Sequence, residues 1–277
     1  MILGIDIGGT YLRYELKKND KSVKKERLAS SDIGLCEFLE NIFNQEKNIT
    51  NVFISYAGQV YNGVILSAPN IKIDKQNIKE YIENKYSVKL LIENDVNCAV
   101  LAEAKVYDTQ DICSIYVGTG LGLGVVSSSM LLKGYSGIAT ELGHIPYKKS
   151  SFTCNCGKSN CIELFCSGSG LLRWKKYYTL DESLTLQELF ESTNSDAKKL
   201  YEEFLEALLH ALGTTITLFN PQTLVLGGGI IMHNKYLLNS IKAHIQEYAM
   251  PLSLRKTKIV VSQLEDAALE GAFLLKD

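Results

Sequence analysis

One short pattern occurs twice in this 277-residue chain, once at its start and once near its middle. An apolar segment at residues 2–7 leads into Gly8-Gly9-Thr10, and a second at 112–117 leads into Gly118-Thr119-Gly120. In both copies a further strand-like segment follows the turn. Similarity at this scale indicates a duplicated unit. The sequence therefore predicts two related α/β domains, with the chain crossing between them near residue 113.

The rest of the chain alternates between strand and helix spacing. Leu35, Phe38 and Ile42 share one helical face, and Pro221 should end the long helix that precedes it. Such alternation is typical of α/β proteins whose sheets are covered by helices. The predicted strands are 2–7, 11–16, 23–29, 51–56, 88–92, 112–117, 123–128, 223–226 and 258–261. The predicted helices are 35–43, 76–84, 96–104, 167–177, 197–218, 236–248 and 266–275.

The composition narrows the classes of function. Hydrophobic residues make up 46% of the chain and charged residues 22%, with a net charge of −2. A net charge this close to zero gives no general attraction to nucleic acid or to anionic membranes. No apolar run approaches the ~20 residues that a membrane helix needs, and Asp6 interrupts the apolar start, which lacks the basic region of an export signal. We therefore expect a cytoplasmic protein with neither a nucleic-acid nor a membrane partner.

The seven cysteines fall into two groups. Cys36, Cys98 and Cys113 lie in apolar surroundings and are interpreted as small buried hydrophobic residues of a reducing compartment. The other four lie in or beside the stretch 141–166. A disulfide framework is not expected.

One imidazole and three thiols lie close together in that stretch, at His144, Cys154, Cys156 and Cys161. Together they could close a tetrahedral zinc site, which would be structural because no position stays open for catalytic water. The alternative is a solvated loop histidine, since Cys-x-Cys is tighter than common zinc-finger spacings. Two carboxylates that such a site does not require, Glu141 and Glu163, flank the cluster.

Three glycine turns follow apolar strands, at residues 8–10, 118–120 and 227–229. Glycine lets backbone N–H groups approach a phosphate, and threonine adds a hydroxyl donor. Most single glycine turns are merely turns, but three at strand ends favour a nucleotide site. The Walker ending is absent, and the dinucleotide motif should open a helix, whereas a strand is predicted after Gly118. An oxidoreductase is therefore disfavoured.

Two aspartates stand at strand ends. Asp6 precedes the first glycine turn, where a carboxylate could hold Mg²⁺ directly or through water; its alternative role is to cap the turn. Asp95 follows a predicted strand and could be a general base for a substrate hydroxyl; its alternative role is to cap the following helix.

Taken in order, these motifs resemble the ROK family of sugar kinases and repressors, within the actin–hexokinase fold class. The resemblance covers nearly the whole chain. It rests on the following motifs: Asp6-Ile-Gly-Gly-Thr10, Glu93-Asn-Asp95, Gly118-Thr-Gly-Leu-Gly122, Glu141-Leu-Gly-His144, Cys154-x-Cys156-Gly-x-x-x-Cys161-x-Glu163 and Gly227-Gly-Gly229. It implies two actin-like ATPase (ribonuclease H-like) domains with a cleft between them. We predict that residues 1–113 plus 264–277 form the smaller domain, and that 114–263 form the larger one with the zinc site.

The resemblance also implies a function and a set of site residues. The chain would transfer phosphate from ATP, with Mg²⁺, to the 6-hydroxyl of a hexose, and Asp95 would be the base. Sugar-binding residues would be Asn70, Asn94, Glu141, His144 and Glu163. ATP-facing residues would be Asp6, Gly8, Gly9, Thr10, Gly118, Thr119, Gly120, Gly228 and Gly229. His144, Cys154, Cys156 and Cys161 would hold a structural zinc, and the assembly would be a homodimer or homotetramer.

The substrate and three departures from the family pattern stay open. D-Allose or a glucose-like hexose is favoured, with N-acetylmannosamine kinase, fructokinase and a non-catalytic sugar-sensing protein as alternatives. The repressors carry a DNA-binding domain ahead of the core, and the first core motif here begins at Asp6. Ala57 replaces a frequent proline, and Thr140 a usual glycine. Asn160 also replaces a glycine, and asparagine tolerates a left-handed backbone better than most residues.

Overall fold

The secondary structure of the computed structural model, which describes residues 1–30 and 33–276, alternates between strands and helices. Residues 31, 32 and 277, which fall within the predicted first domain, lie outside the described residues. The strands are β1 (Ile2–Ile7), β2 (Tyr11–Lys18), β3 (Lys21–Ala29), β4 (Asn51–Tyr56), β5 (Gln59–Tyr61), β6 (Val64–Ser67), β7 (Lys89–Asn94), β8 (Ile112–Val117), β9 (Leu121–Ser127), β10 (Met130–Leu131), β11 (Thr223–Gly227) and β12 (Lys258–Val261). The helices are α1 (Leu35–Gln45), α2 (Ile78–Tyr86), α3 (Asp95–Val106), α4 (Gly168–Tyr177), α5 (Leu186–Glu191), α6 (Ser195–Phe219), α7 (Gly229–His233), α8 (Leu237–His244), α9 (Pro251–Leu254) and α10 (Ala267–Ala272).

The first sheet has the strand order β3-β2-β1-β4-β7. β1 pairs antiparallel with β2 and parallel with β4, and β4 pairs parallel with β7. The β1–β2 hairpin closes over the first glycine turn, so that Asp6 and Arg13 stand opposite each other. The carboxyl ends of β1, β4 and β7 therefore meet at one edge of the sheet, where Asp6 and Asn94 lie.

The second sheet repeats this arrangement, with the order β10-β9-β8-β11-β12. β8 pairs antiparallel with β9 and parallel with β11, which in turn pairs parallel with β12. Each sheet thus has an antiparallel first hairpin followed by two parallel strands. The duplicated α/β architecture predicted from the repeated motif is confirmed in this respect.

The chain divides into two compact units. Unit 1 comprises residues 1–106, 131–139 and 264–277, and unit 2 comprises 107–130 and 140–263. The sequence placed the first crossing near 113, seven residues later. Within unit 2, Tyr107 Oη donates to the Val261 carbonyl at 3.2 Å, and the Gln222 N–H donates to the Asp111 carbonyl at 2.9 Å. These contacts attach the segment before β8 to unit 2.

Each unit has its own hydrophobic core. In unit 1, Leu3, Ile5 and Ile54 are fully buried under helices. A Cβ on Gly4 would overlap the ring of Phe273, so glycine lets the C-terminal segment lie directly on β1. In unit 2, the long helix α6 buries Leu200, Phe204, Leu208 and Leu212 at helical spacing, because its apolar residues recur every three or four positions.

Several short elements were not predicted from the sequence: the β5–β6 hairpin, β10, α5, α7 and α9. Each has six residues or fewer, too few for a periodic pattern to emerge. α2 begins two residues later than predicted because the Asn77 side chain caps it by accepting from the Glu80 N–H. α10 ends at Ala272, three residues before the predicted end. Within the described residues, no helix is both long and apolar enough to span a bilayer.

Candidate functional site

Asp95 stands where β7 ends and α3 begins. Its Oδ1 accepts from the Val96 N–H at 2.9 Å and from Asn94 Nδ2 at 3.0 Å. Both of these bonds are to Oδ1, so this oxygen is fixed. The carboxyl is half-buried. Burial raises the pKa of Asp95 to about 7, and the nearby Asp6 carboxylate contributes to this rise. The hydrogen bonds act in the opposite direction and lower the pKa.

Asn94, rather than Asp95, caps α3. Its Oδ1 accepts from the backbone N–H groups of Val96 at 3.0 Å and Asn97 at 3.1 Å. These are N–H groups of the first turn, which have no partner within the helix. The alternative role considered for Asp95 therefore belongs mainly to its neighbour, and Asp95 is the first helical residue.

Asp6 is the second carboxylate of unit 1 at this sheet edge. Its Oδ1 accepts from Ser55 Oγ at 2.8 Å, and its Oδ2 lies 3.5 Å from Arg13 Nη1. Arg13 also contacts Asp266 at 3.2 Å. Burial raises the pKa of Asp6, the Ser55 and Arg13 contacts lower it, and Asp266 raises it. Carboxylate oxygen is the donor that Mg²⁺ prefers, and the residue is partly exposed.

Sequence reasoning missed the three partners of this charge cluster. Arg13 could have been found, because the predicted hairpin around residues 8–10 sets it opposite Asp6. Ser55 lies opposite Asp6 on β4 and needs the parallel register. Asp266 lies more than 250 residues away in sequence, and no local pattern points to it.

The first glycine turn is exposed at Gly9 and Thr10. The Gly8 N–H donates to the Tyr11 carbonyl at 2.9 Å, which closes the turn. A Cβ on Gly9 would come within 2.6 Å of the Asn70 Cβ. Glycine is needed there because the loop that carries Asn70 packs directly on the turn. The predicted phosphate turn and the predicted sugar residue Asn70 are thus neighbours within unit 1.

The second glycine turn belongs to unit 2 and is held by the start of α4. The Gly118 N–H donates to the Gly120 carbonyl at 3.0 Å, and the Gly168 N–H donates to the Gly118 carbonyl at 2.8 Å. The Ser169 N–H donates to the Thr119 carbonyl at 3.0 Å. The Thr119 side chain remains exposed, available to a ligand.

The third glycine turn packs on the end of β8. Gly228 has a φ of 86°, and a Cβ on it would lie 2.5 Å from the Val117 carbonyl oxygen. Only glycine can adopt this positive φ without strain and also avoid the clash with the Val117 carbonyl. Gly229 is exposed and begins the short helix α7. Because Val117 immediately precedes Gly118, the second and third turns lie side by side in unit 2.

The predicted metal ligands come together. One donor atom from each of His144, Cys154, Cys156 and Cys161 can be chosen so that all lie within 4.8 Å of one another. Cys154 Sγ lies 3.5 Å from His144 Nδ1, and Cys156 Sγ lies 3.3 Å from Cys161 Sγ. Tetrahedral zinc, with bonds of about 2.3 Å to sulfur and 2.0–2.1 Å to nitrogen, needs neighbouring donors about 3.5–3.8 Å apart. The donor types therefore suit zinc, and the donor atoms lie close enough for small side-chain shifts to bring them to this spacing.

Both flanking carboxylates lie beside this cluster. Glu163 Oε2 accepts from the Leu121 N–H at 2.9 Å, and Glu163 Oε1 lies 3.9 Å from Cys154 Sγ. A Cβ on Gly120 would come within 2.7 Å of Glu163 Oε2, so the second glycine turn and Glu163 pack together. Glu141 is exposed, with Oε2 at 3.8 Å from His144 Nε2. The ring thus has Nδ1 facing the thiols and Nε2 facing Glu141.

The three departures from the family pattern have different structural settings. Thr140 has a φ of 67°, a left-handed conformation that suits glycine. Asn160 is not among the residues with positive φ, so no left-handed backbone has to be tolerated there. The Ala57 N–H donates to the Ile7 carbonyl at 2.9 Å, a bond that a proline could not make.

The predicted site residues fall into two groups by unit. Unit 1 holds Asp6, Gly8, Gly9, Thr10, Asn70, Asn94 and Asp95. Unit 2 holds Gly118, Thr119, Gly120, Glu141, His144, Cys154, Cys156, Cys161, Glu163, Gly228 and Gly229.

Comparisons with known proteins agree with this architecture. The model of the ROK family matches residues 2–277. A glucokinase from Thermotoga maritima is 28% identical over 310 residues, covering 98% of this chain and 95% of that protein. A xylose repressor from Caldicellulosiruptor bescii is 24% identical over 302 residues, covering 97% of this chain and 75% of the repressor. A solved structure from Listeria monocytogenes, of a protein suggested to be an N-acetylmannosamine kinase, has a TM-score of 0.83 at 26% identity, with 99% and 97% of the two chains covered.

Proposed function

The chain belongs to the ROK family, and on that premise we propose that it is an ATP-dependent sugar kinase acting on the 6-hydroxyl of a hexose. The single observation that carries the proposal is Asp95. Two hydrogen bonds hold its Oδ1, and burial raises its pKa to about 7. A base with a pKa near the working pH is the best compromise between being ionised and accepting a proton.

The proposed chemistry is proton removal coupled to phosphoryl transfer. Asp95 Oδ2 accepts the proton of the sugar hydroxyl as the hydroxyl oxygen attacks phosphorus. ATP would supply the phosphoryl group and leave as ADP, and Mg²⁺ held by Asp6 would neutralise the charge of the phosphates. A positioned base of this kind contributes about 10²–10⁴-fold. Positioning and electrostatic stabilisation supply most of the remaining acceleration in this class of reaction.

We assign the phosphate and metal contacts to the glycine turns and Asp6. The turns at residues 8–10 in unit 1 and 118–120 in unit 2 would contact the phosphates chiefly at the exposed Thr10 and Thr119, because the Gly8 and Gly118 N–H groups already donate within their turns. Gly228 and Gly229 would face the adenosine. Asp6, partly exposed and fixed by Ser55, is the proposed Mg²⁺ carboxylate. Mg²⁺ prefers oxygen ligands such as the Asp6 carboxylate.

We assign sugar recognition to Asn70 and Asn94 in unit 1 and to Glu141, His144 and Glu163 in unit 2. His144, Cys154, Cys156 and Cys161 would hold a structural zinc. A zinc on Nδ1 would fix the His144 ring with Nε2 toward Glu141, the usual orientation of a ligand by its outer partner. The Leu121 N–H fixes Glu163. The cluster would therefore stiffen the carboxylates that select the sugar.

D-Allose or a glucose-like hexose is the proposed substrate. N-acetylmannosamine and fructose are the alternatives within the same reaction class, and similarity to the Listeria protein favours testing the first of them. We further propose that the enzyme is cytoplasmic and forms a homodimer or homotetramer, which light scattering would measure.

A sugar sensor without catalysis is the second candidate, favoured by the similarity to a xylose repressor. Asp95 argues against it. A sensor gains nothing from a half-buried carboxyl whose burial raises its pKa, since that burial costs stability whenever the group is ionised.

An ADP-release assay over a panel of hexoses and amino sugars tests the proposal. We expect one hexose to give clear turnover and Asp95→Asn to lower it by about 10²–10⁴-fold, with sugar binding retained in calorimetry. Glu37→Gln, an exposed change on α1, is the matched control and should behave as wild type. Sugar binding without turnover in the wild type would favour the sensor. Near wild-type turnover in Asp95→Asn would show that Asp95 is not the general base.

A further inference from the structure

The helix α1 is capped by a residue from a distant part of the chain. The residue before it is Gly34, which has no side chain to satisfy the first N–H groups of the helix. Asp74, 38 residues after Cys36 in sequence, does so instead. Its Oδ1 accepts from the Cys36 N–H at 3.2 Å, and its Oδ2 accepts from the Glu37 N–H at 3.0 Å. These are the N–H groups that the side chain of a capping residue normally satisfies.

Gly34 leaves the space that this carboxylate occupies. A Cβ on Gly34 would lie 2.1 Å from Asp74 Oδ2 and 2.9 Å from Asp74 Cβ. With a φ of −74° and a ψ of 157°, Gly34 has an extended backbone that other residues adopt as readily. Glycine is therefore needed here for space and not for its conformation. The negative charge of Asp74 also lies at the N-terminus of α1, where the helix dipole favours it.

Asp74 belongs to the segment 68–77, which connects β6 to α2 and carries Asn70. On one side of Asp74, Ile71 is buried in the core of unit 1. On the other side, the Gln76 carbonyl accepts from a backbone N–H of β6 at 2.9 Å. Asp74 lies between these two points and ties the segment to α1 as a third. The conformation of the segment is thus coupled to the start of a helix that is remote in sequence.

We propose that Asp74 is a positioning residue for Asn70. By docking on the N-terminus of α1, it holds the segment 68–77 in the conformation that presents the Asn70 amide to the sugar. The inference rests on the proposed function, because Asn70 is assigned to sugar recognition there. Asp74 acts through the short stretch of backbone between it and Asn70.

The first glycine turn, against which Asn70 packs, has backbone bonds of its own. The Gly8 N–H donates to the Tyr11 carbonyl at 2.9 Å, and the Ser30 N–H donates to the Thr10 carbonyl at 3.1 Å. Loss of the Asp74 anchor should therefore weaken the binding of sugar more than the binding of ATP. When the segment is docked in only a fraction of the molecules, the apparent dissociation constant of the sugar rises by the inverse of that fraction.

Asp74→Ala removes both bonds to α1 and tests the anchor. We expect the sugar KM, and the sugar Kd in calorimetry, to rise by about three- to tenfold. The kcat and the ATP KM should stay nearly unchanged, because a contact made equally in the ground state and the transition state affects KM alone. Asp74→Asn keeps an oxygen that can accept from both N–H groups and should restore most of the sugar affinity. Lys72→Ala, an exposed change in the same segment, is the matched control and should bind sugar as the wild type does.

Gly34→Ser separates the positioning of the segment from the stabilisation of the helix. In the Asp74→Ala background, a serine before α1 supplies a cap of its own, and the segment, no longer anchored, can shift away from the new Cβ. Urea unfolding should show that the double variant regains stability, whereas its sugar KM should stay as high as in Asp74→Ala. If Asp74→Ala does not fold, the capped double variant is compared directly with the wild type.

Recovery of the sugar KM together with stability would show that Asp74 serves only the helix, and would overturn the inference. An unchanged sugar KM in Asp74→Ala, or an equal rise in the KM of ATP, would also overturn it. Failure of the proposed function gives a different result. A wild type that binds sugar without turnover refutes the kinase, while calorimetry of the same variants still decides the role of Asp74. A wild type that binds no sugar refutes both.

Discussion

The backbone of Cys98 passes so close to Gly271 that a Cβ on the glycine would overlap the Cys98 carbonyl group. These residues mark the crossing of α10 and α3 in unit 1. Cys98 lies one helical turn after Asp95, so the last helix of the chain packs on the helix that begins with the proposed base. Glycine at this crossing brings the two backbones together.

Gly271→Ala should therefore destabilise unit 1 and lower turnover. The methyl group must push α10 away from α3, and overpacking of this kind typically costs about 1–3 kcal/mol. The helix preference of alanine, worth up to about 1 kcal/mol, offsets part of that cost. Urea unfolding measures the effect. Glu270→Ala, an exposed neighbour in the same helix, is the control, and equal stability of the two variants would contradict the steric argument.

The pH dependence of turnover should report Asp95. Burial raises its pKa to about 7, so the carboxyl is protonated and inactive as a base at lower pH. We expect kcat/KM for the sugar to rise about tenfold per pH unit below 7 and to level off above it. The residual activity of Asp95→Asn should lack this limb. A wild-type profile that is flat from pH 5.5 to 8 would contradict the assignment.

The same shift predicts how stability depends on pH. The folded-state pKa of Asp95 is about 7, against 3.8 for the unperturbed group. Between these values the folded protein holds a proton that the unfolded chain has lost, so stability falls as pH rises through this window. Asparagine cannot ionise. Asp95→Asn should thus gain stability relative to wild type from pH 5 to pH 8, by up to about 4 kcal/mol at 1.36 kcal/mol per pKa unit.

Urea midpoints at several pH values test this, because the contributions of other groups cancel between the two proteins. A constant difference between variant and wild type would show that the Asp95 pKa is not raised by folding.

The strong periodic elements could be predicted from the sequence, but the partners of the site residues could not. β1, β4, β8 and β12 have the predicted bounds, because a buried strand is a continuous apolar run that a turn residue ends. The glycine turns and the cluster of predicted metal ligands could also be located from the local sequence. Each of these is a cluster of residue types within a few positions, where spacing alone carries the signal.

The remainder depends on tertiary contacts between distant segments. Nothing in the sequence near Asn94 indicates that its amide would reach the Gly58 carbonyl, or that Glu163 would accept from the Leu121 N–H. Residues 131–139 join unit 1, and Lys133 Nζ lies 3.4 Å from the buried Glu93 carboxylate. No periodic pattern in the sequence predicts an ion pair between a loop and a strand end forty residues away.

Zinc is expected at one ion per chain. Cys161→Ser should abolish it and lower the melting temperature, since a structural zinc can contribute ~10–16 kcal/mol of apparent binding free energy in small domains. Elemental analysis of protein purified without added metal measures the content. Cys36→Ala, which lies in the core of unit 1, is the control and should keep its zinc. Wild-type protein purified without zinc would contradict the assignment of these four residues as a zinc site.

Thr140→Gly should stabilise the protein. Thr140 has a φ of 67°, and a β-branched side chain is a genuine outlier there, with a strain of about 1–3 kcal/mol. Glycine relieves the strain but increases the entropy of the unfolded chain. This entropy lowers the gain in the free energy of unfolding by about 0.5–1 kcal/mol. The net gain should be about 1 kcal/mol in urea unfolding. Activity should be retained, because glycine adopts this conformation freely and leaves the neighbouring Glu141 in place.

The control for this prediction is Thr153→Gly. Thr153 is an exposed loop residue that is not among those with positive φ, so its replacement brings the entropic cost without any relief of strain. It should therefore destabilise the protein, and the two substitutions should have opposite signs. Loss of stability in both would mean that the contacts of the Thr140 side chain outweigh the strain of its backbone. In that case the departure from glycine before Glu141 would be a stabilising feature of this chain.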